Sequence, residues 1–233
     1  MISAAVLTKN NEKTIEACLS SIQDLPEVII LDTGSSDRTL EIAGKYPNVT
    51  IHKSPFIGFG PLKNLAAEKC SHSWILSLDA DEVLTCPLPT DLNPECTYSF
   101  PFHNYYNGKW IKGCGWYPDR HVRLYHKSHA RFSSDHVHEK IQGGDEVKLN
   151  IPIRHYSYRD IDDFLLKMDR YSTLFAEQSN KKSSLSKALR HSFWAFLKSY
   201  ILKRGFLDGR EGFIISQYNA HVAYYKYLKL AMK

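Results

Sequence analysis

Trp74-Ile75-Leu76-Ser77-Leu78-Asp79-Ala80-Asp81-Glu82 is the stretch on which the fold turns: an apolar run of strand length that stops on three carboxylates. A short apolar run bounded by polar punctuation reads as a buried strand. The same design occurs upstream. Ile2–Leu7 runs into Thr8-Lys9-Asn10-Asn11-Glu12, and Val28–Leu31 runs into Asp32-Thr33-Gly34-Ser35-Ser36-Asp37. Val49–His52 is a further strand. Between the runs the period changes to that of a helix. Ile15, Cys18, Leu19 and Ile22 follow Asn10 or Asn11 as N-cap, and Leu40, Ile42 and Ala43 lead to Pro47. Pro61–Cys70 is a helix with proline in its first turn. The order βαβαβαβ predicts an α/β, Rossmann-like, mostly parallel sheet covered by helices. Such sheets bind ligands at the carboxyl ends of their strands, where all three polar clusters fall.

Downstream the pattern changes. Tyr98–Phe102 and Lys109–Ile111 flank Asn107-Gly108, a hairpin turn signal. Val122–Tyr125 and Leu149–Ile153 are further strands. After Arg159 the chain reads helical. Ile161, Phe164, Leu165, Met168, Tyr171 and Phe175 make one stripe; Leu185, Leu189, Phe193, Phe196, Leu197, Tyr200 and Ile201 make a second, closed by Gly205 as a C-cap signal. A third helix covers about 213–232, and Lys181–Lys187 is the best linker. The division expected is a catalytic domain over 1–158 and a basic helical extension over 159–233.

With 233 residues, 43% apolar and 24% charged, the chain has material for a folded core without disulfide staples. Its charge is uneven. Residues 181–233 hold eleven Lys+Arg against Asp208 and Glu211, a net of +9; residues 1–180 hold 19 against 23 acids, a net of −4. A basic segment of this kind seeks an anionic partner. Cys18, Cys70, Cys86, Cys96 and Cys114 form no C-x-x-C pair, which fits free thiols in a reducing compartment and argues against structural zinc. No targeting segment and no membrane-length apolar run is visible, so a cytoplasmic protein is expected.

Each cluster admits a structural and a chemical reading. Asp79 and Asp81, two apart at a strand end, suit a divalent cation shared with phosphate oxygens, or simply an acidic loop that ends a strand. Asp32 suits a ribose hydroxyl or a base N–H, and lies before any cap formed by Ser36 or Asp37. Lys63, in the first turn of its helix, suits a pyrophosphate or a solvated face. Arg120 and Arg123 are read as sharing one strand face, where they would grip a diphosphate or an anionic acceptor, or pair with the acidic body. Trp116 and Tyr117 would stack on a sugar or join the core.

Taken together, Thr8–Glu12, Asp32–Thr39, Lys63-Asn64 and Leu78–Glu82 resemble the family 2 glycosyltransferases of GT-A fold. Gly113–Tyr125, Asp135–Glu139 and Gly205–Gly209 extend the resemblance over nearly the whole chain, toward bacterial lipopolysaccharide inner-core β-1,4-glucosyltransferases. The resemblance implies a nucleotide pocket lined by Thr8, Asn10 and Glu12, with Asp32 at the uracil or ribose, Asp79 on the ribose side and Asp81 on Mg²⁺ or Mn²⁺. Lys63 stands where relatives often carry Arg. It further implies an inverting transfer of glucose from UDP-glucose to a heptose of the core. That chemistry needs a base for the acceptor hydroxyl. Glu139 is the candidate, and His138 either replaces it or orients it. The alternatives are another nucleotide sugar or lipid-linked acceptor, and a catalytically inactive nucleotide-sugar- and membrane-binding protein. A nucleotidyltransferase is disfavoured because Thr8–Glu12 has no glycine, and a nucleic-acid binder leaves the strand-end acids unexplained. The basic, aromatic tail is read as a peripheral contact with the inner face of the bacterial inner membrane, or as helices packed on the domain.

Overall fold

The computed structural model describes residues 1–134, 139–158, 161–179 and 181–233. Its elements are β1 (Ile2–Thr8), α1 (Ile15–Ser20), β2 (Glu27–Asp32), α2 (Thr39–Ala43), β3 (Val49–Lys53), α3 (Phe59–Lys69), β4 (Trp74–Asp79), β5 (Glu82–Leu84), β6 (Cys96–Tyr106), β7 (Lys109–Trp110), β8 (Arg120–His126), β9 (Arg131–Phe132), β10 (Ile141–Gln142), β11 (Asp145–Lys148), β12 (Ile153–Tyr158), α4 (Ile161–Gln178), α5 (Leu185–Leu197) and α6 (Gly209–Ala231). They form two compact units: Met1–Phe102 with Arg120–His155, and His103–Asp119 with Tyr156–Lys233.

The main sheet runs β3-β2-β1-β4-β8-β6-β12-β5. Its first four strands are parallel, as the alternating pattern predicts, and β8 turns the sheet antiparallel against β4 and β6. Continuous apolar strands bury both faces. Ala4, Val6, Ile30, Leu76 and Leu78 pack with Ile15, Cys18 and Leu19 of α1. Their neighbours Ala5, Leu7, Ile29, Leu31 and Ile75 pack on the other side with Leu62 and Ala66 of α3. Strand period two thus feeds two cores from the same runs.

Several local expectations are corrected. The N-cap of α1 is Thr14, since an extra turn intervenes; Asn11 supplies its backbone carbonyl, which accepts from Thr14 N and Ile15 N at 2.9 Å each. Leu149–Ile153 is not one strand. Leu149 and Ile151 sit between β11 and β12 and pack partly buried on the core.

In the second unit the Asn107-Gly108 hairpin is present, pairing Tyr106 with Lys109. Both turn residues have positive φ, 50° and 74°, as a type I′ turn requires. The chain after α5 widens into a π turn (Lys198–Leu202) and then tightens into a 3₁₀ turn (Gly205–Asp208). The left-handed residue there is Arg204 at φ 54°, not the expected Gly205. Gly205 answers to packing instead: a Cβ would stand 2.7 Å from Cys114 Sγ and 2.9 Å from Ser199 O. Asp208 completes this interlock. Its buried carboxylate accepts from Gly113 N at 2.6 Å and Lys112 N at 3.3 Å. The Gly113 and Gly205–Gly209 motifs are therefore one structural joint. The unit's core is Tyr106, Ile111, Cys114, Phe164 and Ile215.

Candidate active site

Parallel register sets Thr8 beside Asp32 and Leu7 beside Asp79, so both acids reach the same carboxyl edge of the sheet. The two loops above that edge are joined side chain to backbone. Asn10, at φ 54°, accepts from Ser36 N at 2.8 Å, and Asn10 N donates to Ser35 Oγ at 3.0 Å. Glu12 accepts from Arg38 N at 3.1 Å, and Glu12 N donates to Asp37 at 3.1 Å. Thr8 Oγ1 donates to Asn11 Oδ1 at 3.0 Å. Asp32 is 1% exposed, and its carboxylate accepts from Gly34 N and Ser35 N at 3.1 Å and from the Ser35 hydroxyl. Although it precedes the helix cap, Asp32 builds the turn; Gly34, at φ 102°, supplies the backbone freedom the turn needs.

Beside that edge lies an ion network. Lys63, read from the sequence as a pyrophosphate partner or part of a solvated face, is buried where α3 packs on the sheet. Its ammonium stands 3.1 Å from Asp79 Oδ1, 3.2 Å from Asp79 Oδ2 and 3.0 Å from Glu139 Oε1. Glu139 is 76 positions along the chain from Lys63, a distance that no local pattern bridges. Arg123 approaches from the other side. Its Nε donates to Glu82 Oε2 at 2.9 Å, its Nη2 donates to Glu82 Oε1, and Asp79 Oδ2 lies at 3.5 Å. Glu82 is fully buried, and its Oε2 also accepts from Asp79 N at 3.2 Å. Burial alone would raise the Asp79 carboxyl; the Lys63 and Arg123 cations outweigh it and hold it at about 2. Burial likewise disfavours the Arg123 cation, and Glu82 with Asp79 overcomes this and pushes its pKa up. Cys18 Sγ faces Asp79 O at 3.7 Å, and burial with the nearby acids pushes that thiol well up, so it is no nucleophile.

Asp81 stands apart. It is about a quarter exposed, with His155 Nε2 3.7 Å from its Oδ2. Asp79 is ill suited to a metal, since both its oxygens face cations. Asp81 and His155 fit one: a carboxylate and an imidazole, leaving the other positions to water and phosphate oxygens. Among the described residues no group of three or more His, Cys, Asp or Glu is arranged as a metal cage.

The pairing of Arg120 with Arg123 is corrected. Tyr98 pairs with Leu124 and Ser99 with Val122, which leaves Arg123 as the extra residue of a bulge. Arg120 Nη1 donates instead to the carbonyls of Ser99 at 2.7 Å and Leu149 at 2.9 Å. Trp116 and Tyr117 belong to the second unit. Trp116 is stacked on Tyr158 at 5.5 Å as part of that core, while Tyr117 is 42% exposed beside Trp110. His138 lies outside the described residues. Glu82 and His155 were not singled out from the sequence. Glu82 carried a signal, as a third acid adjoining a strand end; His155 carried none. A cavity of about 700 Å³ opens at the opposite edge, past Ile2, Trp74 and Leu92, but no Lys or Arg lines it, so phosphate has no partner there.

Residues 3–86, which carry the acidic edge and Lys63, match the family described as Glycosyl transferase family 2. Across its length the chain is similar to an uncharacterized glycosyltransferase of Rickettsia typhi, 29% identical over 99% of this chain and 85% of that protein. It is also similar to the lipopolysaccharide core biosynthesis glycosyltransferase LpsC of Rhizobium meliloti, 27% identical over 96% of this chain and 89% of LpsC. Among solved structures, the mannosyltransferase PcManGT of Pyrobaculum calidifontis shares the GT-A fold, with a TM-score of 0.54 and 14% identity over 97% of this chain and 86% of that one.

Proposed function

We propose that this chain is a family 2 glycosyltransferase that moves a hexose, glucose from UDP-glucose, with inversion onto a heptose of the lipopolysaccharide inner core. The observation that carries the reading is the Asp79–Lys63–Glu139 bridge at the carboxyl edge of the sheet, next to the accessible Asp81. The likeness to LpsC supports the acceptor class, and the likeness to PcManGT, described with GDP-Man and Mn²⁺, supports a nucleotide-sugar donor with a divalent cation.

In this reading the joined loops of Thr8, Asn10 and Glu12 receive the nucleoside. Asp32 acts through the turn it holds. Asp81, with His155, would hold Mg²⁺ or Mn²⁺; when bound, the cation neutralises charge on the leaving diphosphate. Asp79 stays ionised and fixed, facing the ribose. Lys63 positions two carboxylates at once, one on the donor side and Glu139 on the acceptor side. Glu139 takes the proton of the attacking hydroxyl. Arg123 acts through Glu82 and Asp79, and Tyr117 is the exposed aromatic offered to a sugar face.

Glu139→Gln should lower kcat about 10²-fold or more with KM little changed. A rise in KM alone in initial-rate measurements would make Glu139 a binding residue. The donor is tested by melting the full chain with UDP, GDP and their sugars, with and without Mn²⁺ or Mg²⁺. A metal-dependent rise in Tm with UDP and UDP-glucose supports the assignment. A rise with another nucleotide sugar alone replaces the donor, and no response to any nucleotide overturns the nucleotide-sugar reading.

A further inference from the structure

The C-terminal half of the second unit exposes large apolar side chains that its own core does not take. Leu189, Phe193, Trp194, Leu202, Phe206 and Leu207 are each between 49% and 68% exposed. The cause is local. Helix α5 buries only Ala188, and it rests on α6 through contacts such as the His191–Tyr227 stack at 3.9 Å. The π and 3₁₀ turns then carry Leu202, Phe206 and Leu207 outward while Gly205 and Asp208 lock inward.

The charges around this patch have one sign. Arg190, Lys198, Lys203, Arg204 and Arg210 are exposed. The acids of 185–213 are Asp208 and Glu211. Asp208 is buried on the Gly113 and Lys112 amides, and Glu211, mostly covered, lies 3.8 Å from Lys109 Nζ. The cations at the far end of α6 are engaged inside the unit: Lys229 Nζ lies 2.7 Å from Asp169, and Lys233 Nζ donates to Ala176 O at 2.9 Å. The outward basic charge therefore concentrates on the same segment as the apolar side chains.

We propose that residues 185–213 are a membrane-docking face. Phe193, Trp194, Phe206 and Leu207 enter the headgroup boundary of an anionic phospholipid bilayer, with Lys198, Lys203 and Arg204 against its phosphates. A second copy is disfavoured by the charges, because a self-complementary contact would bring the cations of both copies together with no exposed acid to meet them. No helix among the described residues is long and apolar enough to cross a membrane, so the contact is in the interface plane. This inference is independent of the donor and of catalysis.

The test uses the full chain and sedimentation with vesicles of phosphatidylcholine, alone or mixed with phosphatidylglycerol. Binding is expected to the mixed vesicles, with a blue shift in tryptophan emission that Trp194→Phe removes. Lys198→Ala with Lys203→Ala should weaken binding about tenfold or more. Phe193→Ser with Leu207→Ser should do the same while leaving Tm unchanged, since these side chains are exposed. Absence of wild-type binding, or equal binding to neutral vesicles that both double variants retain, overturns the proposal. So does a dimer in light scattering that Phe193→Ser with Leu207→Ser dissociates, if the wild type ignores vesicles.

Discussion

Glu82→Ala is expected to destabilise the protein by about 3–5 kcal/mol, the usual loss when one partner of a buried ion pair is removed. Glu82 is fully buried and supplies both oxygens to Arg123. Without it the guanidinium keeps Asp79, at 3.5 Å, and the face of the Phe102 ring, at 5.0 Å, and Asp79 N loses its carboxylate acceptor. The loss should appear in urea unfolding as a lower midpoint at constant slope. Activity should fall with it, because the Asp79-Ala80-Asp81 turn is anchored through that same carboxylate. A midpoint shift worth under about 1 kcal/mol would mean that Arg123 recovers its partners elsewhere, and that the network is less closed than its distances indicate. Glu82→Gln, which keeps an acceptor for Asp79 N but not the charge, should fall between the two.

Asp81→Asn is expected to do the reverse: a fall in kcat of about 10³-fold, or roughly 4 kcal/mol of transition-state stabilisation, with little change in Tm. Its carboxylate is a quarter exposed, with His155 3.7 Å away, so the fold places little weight on it. Turnover of a radiolabelled UDP-sugar across a Mn²⁺ titration reads the effect. Wild-type turnover in Asp81→Asn would remove the cation from the proposed mechanism. A Tm loss as large as that of Glu82→Ala would recast Asp81 as structural. Adjacent acids of one motif thus make opposite predictions, and the difference lies in what surrounds each side chain.

The parallel core was legible because its signals are local. Ile2–Leu7, Val28–Leu31 and Trp74–Leu78 are runs that only burial on both faces accommodates, and each ends on polar residues at the edge where ligands meet such sheets. Asn107-Gly108 was legible for a similar reason, since few dipeptides tolerate positive φ twice. Gly205 was misread because a glycine can mark either a left-handed residue or a close approach, and only the neighbour Cys114 distinguishes them. The Arg120–Arg123 pairing failed on parity: residues three apart on a period-two strand do not share a face, and the two side chains take different partners, the Ser99 and Leu149 carbonyls for Arg120 and Glu82 for Arg123.

From the sequence alone came the α/β class, the strand ends that carry the acids, the uneven charge and the resemblance to family 2 glycosyltransferases. Tertiary structure decided which of those acids is paired. Lys63, Asp79 with Glu82, Arg123 and Glu139 come from four separate stretches, and their charges meet only where α3, β4, β5, β8 and the segment at Glu139 converge. Periodicity is set by neighbours along the chain and can be read there. Electrostatic partnership depends on separation in space and on the exclusion of water, so it exists only once the chain has folded.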